Sequence, residues 1–511
     1  MLVRVLAPLP PLEPRTASHA LIDTSGTALG RAITPATQAH PGLTGIHPLA
    51  RGTDAFATRV LLARAAERSI DAQYYIWHND LTGGVLFDAM RAAADRGVRV
   101  RLLLDDNTTA GLDPVIAALN SHPGIEVRLF NPFVIRKPRL IGYLTDFSRL
   151  NRRMHNKAFV VDNQAAVVGG RNIGDEYFGA RQEGALFVDL DVLAVGQAVP
   201  AVSADFDRYW ASASAYPAER IVPALSTLEA TAVLNRLANP RSNDGQRAYL
   251  EAVRDLPLVK QLLEQRLPLS WAPVRMVSDN PAKGLGLAEQ DQLLFSKLQN
   301  ALGQPQRTLE LVSGYFVPAE KGTAALTDMA RRGMQVTVLT NALEATDVPI
   351  VHAGYAKRRK DLLRAGVRIF ELRGGDAAAQ PDRGVAGSGR GSGSGGSRLG
   401  GTGSALHAKT FVVDAQRVFI GSFNFDPRSL RLNTELGFVI EDPALATTMR
   451  TDLRSRAPER AYEVRLNDAA RLVWIERVGG REVVHTTEPG TSWWQRTATA
   501  ILSLLPIEWL L

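Results

Sequence analysis

The chain has 511 residues, 45% apolar and 22% charged, with 43 Gly and 28 Pro. That balance excludes a wholly disordered chain, a collagen or a coiled coil, and the length accommodates two or more domains. The absence of cysteine removes a disulfide scaffold, a zinc-thiolate centre and a cysteine nucleophile, while 59 basic against 52 acidic residues leave a net charge of +7, a balance that suits anionic partners and equally an arginine-rich proteome.

Residues 1–44 read as an N-terminal extension. Its opening run, MLVRVLAPLPPLEP, is too short and proline-broken for a signal peptide, and no stretch of the chain reaches the roughly 18–20 apolar residues of a membrane span. A first α/β lobe is expected over 45–225. In it the helical-period stretch LFDAMRAAADR leads through glycine into a strand, GVRVRLLLDD at 97–106, with another at GIEVRLF, 124–130. Residues 226–268 read as a helical linker. A second lobe over 269–450 repeats the plan, with ALTDMARR before GMQVTVLTN at 333–341 and GVRIFEL at 366–372. This alternation predicts the α/β class, used twice. The run Lys357-Arg358-Arg359-Lys360 reads as the solvated face of a helix. The Gly/Ser-rich insert 374–404 is nearly free of apolar residues, so a flexible surface loop and tolerated insertion is expected there. The C-terminal segment, 451–511, ends in Trp493, Trp494 and ILSLLPIEWLL, apolar enough to lie at a membrane interface or to dock on the core.

An internal repeat organises both lobes. Met154-His155-Asn156-Lys157 precedes AFVVD at 158–162, and Leu406-His407-Ala408-Lys409 precedes TFVVD at 410–414. Gly169-Gly170-Arg171-Asn172 and Gly421-Ser422-Phe423-Asn424 follow. Both copies fit H-x-K-x4-D-x6-G-[GS]-x-N. With nine histidines and nine lysines in the chain, a Lys two places after a His should arise about 0.2 times by chance. It arises twice, in the same longer pattern. Lysine at both places, in a chain with fifty arginines, marks a need for the compact ammonium.

Strand alternation puts His155 with Lys157, and His407 with Lys409, on one face; Asp162 and Asp414 fall on the other and read as structural. Asn172 and Asn424 follow small turns that let the backbone approach a ligand. Two ammonium groups and two amides can hold the non-bridging oxygens of a phosphodiester. One imidazole can then attack phosphorus while the other protonates the leaving oxygen and deprotonates the acceptor. An acidic residue beside each imidazole would fix its tautomer. Asp189, with Asp191 as the fallback, and Glu435 open apolar strands at matching places after the motifs. No metal or other cofactor is expected, because lysine is a poor ligand and the carboxylates lie too far along the strand. His78 reads as a satisfied loop or core histidine.

The doubled motif is identified as that of the phospholipase D superfamily. IDAQYYIWHND at 70–80, RGVRVRLLLDD at 96–106, GGRNIGDEYFGA at 169–180, DLDVLAVG at 189–196 and GSFNFDPRSLRLNTELG at 421–437 resemble the bacterial cardiolipin synthase branch, C type, over nearly the full length. The resemblance implies two tandem phospholipase D-like α/β/α sandwich lobes related by pseudo-twofold symmetry, with one active site at their interface. It implies His155 as nucleophile, His407 as general acid/base, and Lys157, Lys409, Asn172 and Asn424 as phosphate binders. It also favours Asp189 and Glu435 as the imidazole orienters. The implied reaction is phosphatidyl transfer through a phosphatidyl-histidine, from phosphatidylglycerol or phosphatidylethanolamine to phosphatidylglycerol, giving cardiolipin. The expected partners are phospholipids and a membrane surface, at the cytoplasmic face of a bacterial inner membrane, and not nucleic acid; the oligomeric state stays open. Hydrolysis to phosphatidic acid is the alternative, followed by a phosphodiesterase of the same superfamily acting on nucleic acid. The insert before His407 departs from the family pattern and bears on access to the site.

Overall fold

Glycine-led apolar runs become strands in both halves. Gly97 and Gly333 take φ of +92° and +87°, left-handed conformations that stop the helices Leu81–Asp95 and Ala319–Arg331 and turn the chain into a sheet. The computed structural model describes residues 8–181, 187–238, 243–374, 405–505 and 508. Its first half contains β1 (Thr44–Leu49), β2 (Ser69–Tyr74), β3 (Arg99–Asp105), β4 (Ile125–Phe130), β5 (Ala158–Val161), β6 (Ala165–Gly169), β7 (Phe187–Val188), β8 (Asp191–Gly196) and β9 (Ala215–Pro217). With β10 (Ser270–Ala272), all but β7 form a nine-stranded sheet in the order β10-β1-β8-β6-β5-β2-β3-β4-β9.

The second half contains β11 (Val274–Ser278), β12 (Thr308–Ser313), β13 (Gln335–Asn341), β14 (Arg368–Leu372), β15 (Ala405–Leu406), β16 (Lys409–Val413), β17 (Arg417–Gly421) and β18 (Leu436–Ile440). It continues through β19 (Ala461–Leu466), β20 (Leu472–Val478) and β21 (Arg481–His485). The sheet order is β11-β18-β17-β16-β12-β13-β14-β19-β20-β21. From β1 to β9 and from β11 to β19 the two orders correspond strand for strand. In each sheet the parallel pairs are the same central ones, β2/β3/β4 and β12/β13/β14. The α/β class and the duplicated plan are therefore as the sequence predicts. Two boundaries differ. The sheets divide at Pro273 and not after residue 268, because β10 pairs with β1 while β11 pairs with β18. The second lobe also continues past residue 450 into the C-terminal segment, since β19–β21 extend its sheet. The insert 374–404 lies, apart from Gly374, outside the described residues.

Each lobe buries one sheet face beneath helices. In the first lobe, Phe56, Leu86 and Ile116 from three helices meet Ile70, Leu102 and Val127. The other faces meet each other: Val160, Val168 and Val192 pack with Val412, Ile420 and Phe438 in one core shared by the two sheets. All six are 3% exposed or less, so water is excluded from the seam that flanks the motifs.

Arginine is used inside the lobes as well as outside. Arg59, Arg101, Arg153 and Arg359 are buried against Asp191, Asp71, Asp105 and Glu371. This corrects the reading of residues 357–360 as a solvated face at Arg359, whereas Lys357 and Lys360 are exposed as that reading expects. Arg359 also binds Glu488 at 2.6 Å, and Lys357 and Arg358 reach Glu508 at 3.0 and 3.1 Å. Helix Trp493–Ser503 packs on helix Pro349–Ala356 but leaves Trp493, Ile501 and Leu504 exposed. Among the described residues no helix is long and apolar enough to cross a membrane.

Candidate active site

Each motif histidine lies in a short segment just ahead of its strand, and that segment is hydrogen-bonded to the other lobe. His155 N–H donates to the carbonyl of Thr434 at 2.8 Å, and Thr434 N–H donates back to Arg153 at 2.9 Å. In the pseudo-symmetric place, β15 pairs with β7 and His407 N–H donates to the carbonyl of Val188 at 2.8 Å. These contacts bring the residue after Thr434 to His155 and the residue after Val188 to His407. His155 Nδ1 lies 2.8 Å from Glu435 Oε2, and His407 Nδ1 lies 2.5 Å from Asp189 Oδ2. The carboxylates are thus exchanged between the lobes. Asp191, the fallback, meets no imidazole; it accepts from Arg59 at 2.9 Å and from Arg171 N–H at 3.1 Å.

Glu435 also accepts from the hydroxyls of Ser422 and Ser429. Gly170 leaves the room that Asp189 occupies, for a Cβ there would stand 2.2 Å from Asp189 Oδ1. Lys157 Nζ donates to the carbonyl of His155 and sits 5.5 Å from the Tyr75 ring centre. Lys409 Nζ does the same with the carbonyl of His407 and sits 6.0 Å from Tyr315. Lys409 Nζ is also 3.0 Å from His407 Nδ1. One nitrogen cannot donate to Asp189 and accept from Lys409 at once; the shorter contact to an ionised carboxylate takes the N–H, which leaves Lys409 as a charge beside the ring.

The two asparagines are held differently. Asn172 Oδ1 accepts from Ile76 N–H at 3.2 Å and its Nδ2 donates to Tyr177 OH at 3.0 Å, with the Tyr177 ring 5.3 Å from His407. Asn424 Oδ1 is buried with no hydrogen-bond partner among the described residues. Its N–H donates to Ser429 Oγ at 3.3 Å, and Ser429 in turn bonds Glu435. Asp162 and Asp414 stand away from the histidines. Asp162 accepts the N–H groups of Glu67, Arg68 and Ser69, and Asp414 those of Gln306, Arg307 and Thr308. Each ties its own strand to the turn before β2 or β12. His78 pairs with Glu176 at 3.1 Å and remains half-exposed. With Asp80, these make the one grouping of three metal-capable side chains among the described residues. Asp80 is occupied there as the cap of helix Leu81–Asp95.

Burial and the lysines drive both imidazoles toward the neutral form. His155 falls well below its ordinary value through burial first, then Lys157 and Lys409. His407 falls to about 4 through burial and Lys409, against the pull of Asp189. The lysines are themselves lowered by burial. The carboxylates diverge. Burial raises Asp189, but Lys409, His407 and Arg171 outweigh it and hold the carboxyl below the usual range. Burial pushes Glu435 up to about 7. His407 therefore rests on a firmly ionised partner, whereas burial shifts the partner of His155 toward its neutral form.

Several neighbours escape a reading of the motifs alone. Tyr75 lies edge-on to His155 at 5.0 Å, and Tyr177 and Tyr315 flank His407. Tyr75 and Tyr315 follow the equivalent strands β2 and β12, which is the signal that comparing the repeats further upstream would have shown. Ser422, a Glu435 partner, is the variable small residue inside the second motif.

Residues 60–210 and 298–456 match the family described as "Cardiolipin synthase, PLD-like domain". The chain is 46% identical to "Cardiolipin synthase C" of Escherichia coli, over 94% of this chain and 99% of that one. It is 25% identical to "Cardiolipin synthase A" of Pseudomonas syringae, over 79% of this chain and 67% of the relative. A crystal structure of phosphatidylserine synthase from Haemophilus influenzae superposes with a TM-score of 0.55 at 15% identity, covering 84% of this chain and 91% of that one, and so shares the fold. Two family matches, one on each lobe around its own histidine, and a full-length relative place the chain in the cardiolipin synthase family built on phospholipase D-like domains.

Proposed function

We propose that the chain is a phosphatidyltransferase that makes cardiolipin from phosphatidylglycerol and a second phospholipid, phosphatidylglycerol or phosphatidylethanolamine, at a bacterial membrane. The observation that carries this reading is the crossed pair of imidazole–carboxylate contacts, His155–Glu435 and His407–Asp189, each with a buried lysine beside it. Every one of these six side chains is 5% exposed or less, so the reaction would run largely shielded from bulk water.

With Nδ1 given to a carboxylate, Nε2 is the nitrogen that reacts. In this reading His155 attacks phosphorus, and the bond from phosphorus to the headgroup oxygen breaks. His407 gives that oxygen its proton, releasing glycerol or ethanolamine and leaving a phosphatidyl-His155. The terminal hydroxyl of a phosphatidylglycerol then loses its proton to His407 and attacks the same phosphorus. His155 leaves unchanged, and cardiolipin is the product. Lys157, Lys409, Asn172 and Asn424 hold the non-bridging oxygens. Asp162 and Asp414 act only through the strands they anchor.

The test is incubation of the purified protein with phosphatidylglycerol vesicles, with and without phosphatidylethanolamine, in excess chelator, with products read by lipid mass spectrometry. Cardiolipin is expected from the wild type and a loss of roughly a thousand-fold or more from His155→Ala and from His407→Ala. Phosphatidic acid without cardiolipin would make the protein a hydrolase and overturn the transferase reading.

A further inference from the structure

We infer that the helix Leu140–Leu150 is the surface by which the protein docks on a phospholipid leaflet, its exposed apolar side chains entering the acyl boundary, with His155 connected to it through Tyr143, Asn107 and Tyr75. The inference rests on the phospholipid reading above and goes beyond it by naming the surface. Leu140, Ile141, Leu144 and Phe147 are 72%, 37%, 82% and 46% exposed, while Gly142 and Leu150 are buried. Leu140, Ile141 and Leu144, at i, i+1 and i+4, share one side of the helix; the backbone kinks at Asp146 (φ −141°, ψ 42°) and Phe147 is exposed just beyond the kink, so the segment turns its apolar side chains outward.

Three observations make lipid the occupant. The first is position. The helix ends five residues before His155, and Tyr143 OH donates to Asn107 Oδ1 at 2.6 Å while Asn107 Nδ2 donates to Tyr75 OH at 3.3 Å. Tyr75 in turn packs on His155, so a short chain of side chains joins the outward stripe to one motif histidine. The second is an adjoining cleft of about 450 Å³ beside the helix, lined by Val134, Ile135 and Leu285 together with Thr145, Asp146 and Arg149, a mixed lining that suits an amphipathic molecule such as a phospholipid. The third is charge. Lys137 is exposed just ahead of the helix and the chain as a whole carries +7, complementary to anionic headgroups. The corresponding stretch of the second lobe, between β14 and β16, is the Gly/Ser-rich one with scarcely an apolar residue, so the docking face belongs to the first lobe.

Because the chain lacks cysteine, single substitutions Leu144→Cys and Phe147→Cys can each carry an environment-sensitive fluorophore, with Leu228→Cys and Ile501→Cys labelled for comparison. On addition of phosphatidylglycerol vesicles the labels at 144 and 147 are expected to shift to the blue and brighten several-fold, with the exposed position 228 unchanged. Labels at 144 and 147 that stay in water overturn the proposal, whether or not position 501 responds. A shift that follows protein concentration without vesicles also overturns it, by making the occupant a second copy. The doubly substituted Leu144→Asp/Phe147→Asp protein is expected to lose roughly ten-fold or more of its turnover on vesicles. It should keep its rate on a short-chain phosphatidylglycerol dispersed as monomers; an equal loss on both substrates overturns the docking role. The two readings separate cleanly. Labels that enter the bilayer in a protein that turns over no lipid would leave the docking face standing without the enzyme, and cardiolipin made while both labels stay wet would do the reverse.

Discussion

His155 takes its carboxylate from the opposite lobe: Nδ1 lies 2.8 Å from Glu435 Oε2, 280 positions further along the chain. The reciprocal pair, His407 with Asp189, spans 218 positions in the opposite sense. Neither lobe supplies the carboxylate for its own motif histidine. The shared core of Val160, Val168, Val412 and Phe438 therefore does more than bury apolar surface, because its integrity keeps two histidines in their tautomers. A gap of one ångström at that seam would loosen both hydrogen bonds together.

Glu435→Gln and Asp189→Asn each remove a carboxylate while keeping its shape. Each is expected to lower kcat by roughly two to four orders of magnitude, by releasing the tautomer and orientation of its imidazole. The two should differ in electrostatics. Asp189 is ionised and raises His407, so Asp189→Asn should lower the His407 titration further, as read by NMR of the labelled imidazole. An Asp189→Asn protein with an unmoved His407 would remove the distinction drawn here between the two histidines.

Both imidazoles are held neutral in the free site, yet one must deliver a proton. The diester itself supplies the change: its anionic oxygens offset Lys157 and Lys409, whose charges push His155 and His407 down. Binding of an anion such as inorganic phosphate should therefore be accompanied by proton uptake and should tighten as the pH falls from about 8 to 6. Calorimetry in buffers of different ionisation enthalpy measures the uptake; none, or proton release, would contradict this account. In the free protein His407 and Glu435 act on stability with opposite signs. His407 titrates at about 4 in the fold against 6.5 unfolded, so its contribution is intact above about pH 6.5 and is lost as the pH falls toward 4. Glu435, raised from 4.5 to about 7 by burial, contributes fully below its unfolded value and loses stability as the pH rises through 7.

How much of this was legible in the sequence depends on range. The motif residues could be read because their spacing is local, and the duplicated strand order followed from the repeats around them. Which carboxylate faces which histidine could not, because Glu435 and Asp189 reach across the seam and spacing along one chain is silent about packing between lobes. The arginines misled for a related reason. Composition counts Arg59 and Arg101 as charge for the solvent, but their partners Asp191 and Asp71 lie 132 and 30 positions away, and a buried fork is visible only once those strands are adjacent. The outward face of helix Leu140–Leu150 is not legible in the sequence, because an apolar stripe at helical period ordinarily faces a core, and only the exposure of Leu140 and Leu144 shows that this one does not.

Asp162 and Asp414 are predicted to affect stability and leave the chemistry of the folded protein alone. Each accepts three backbone N–H groups, but Asp162 is fully buried and Asp414 is only partly so. Asp162→Ala should cost about 3 kcal/mol, through charge-assisted hydrogen bonds lost and donors left unsatisfied, and Asp414→Ala about half as much. Urea titrations check the order, and kcat measured well below each transition should stay within about two-fold of wild type. A collapse of kcat in a fully folded Asp162→Ala protein would return this aspartate to the reacting groups.

Gly170→Ala tests the seating of Asp189 without replacing any charged group. A Cβ at 170 would stand 2.2 Å from Asp189 Oδ1 and 2.8 Å from its Cγ, closer than any real contact, so the carboxylate must move away from His407. Gly84→Ala is the matched control: its Cβ would meet only Leu237 at 4.0 Å within the helix Leu81–Asp95, and should be neutral or stabilise by about 0.5–1 kcal/mol. The expectation for Gly170→Ala is a fall in kcat of roughly a hundred-fold or more, approaching that of Asp189→Asn, with a Tm lowered by only a few degrees. Combining the two should add little, because both act on one hydrogen bond. Full activity in Gly170→Ala would mean that His407 keeps its orientation without Asp189 at this distance, and the crossed pair would then have to be assigned a structural role.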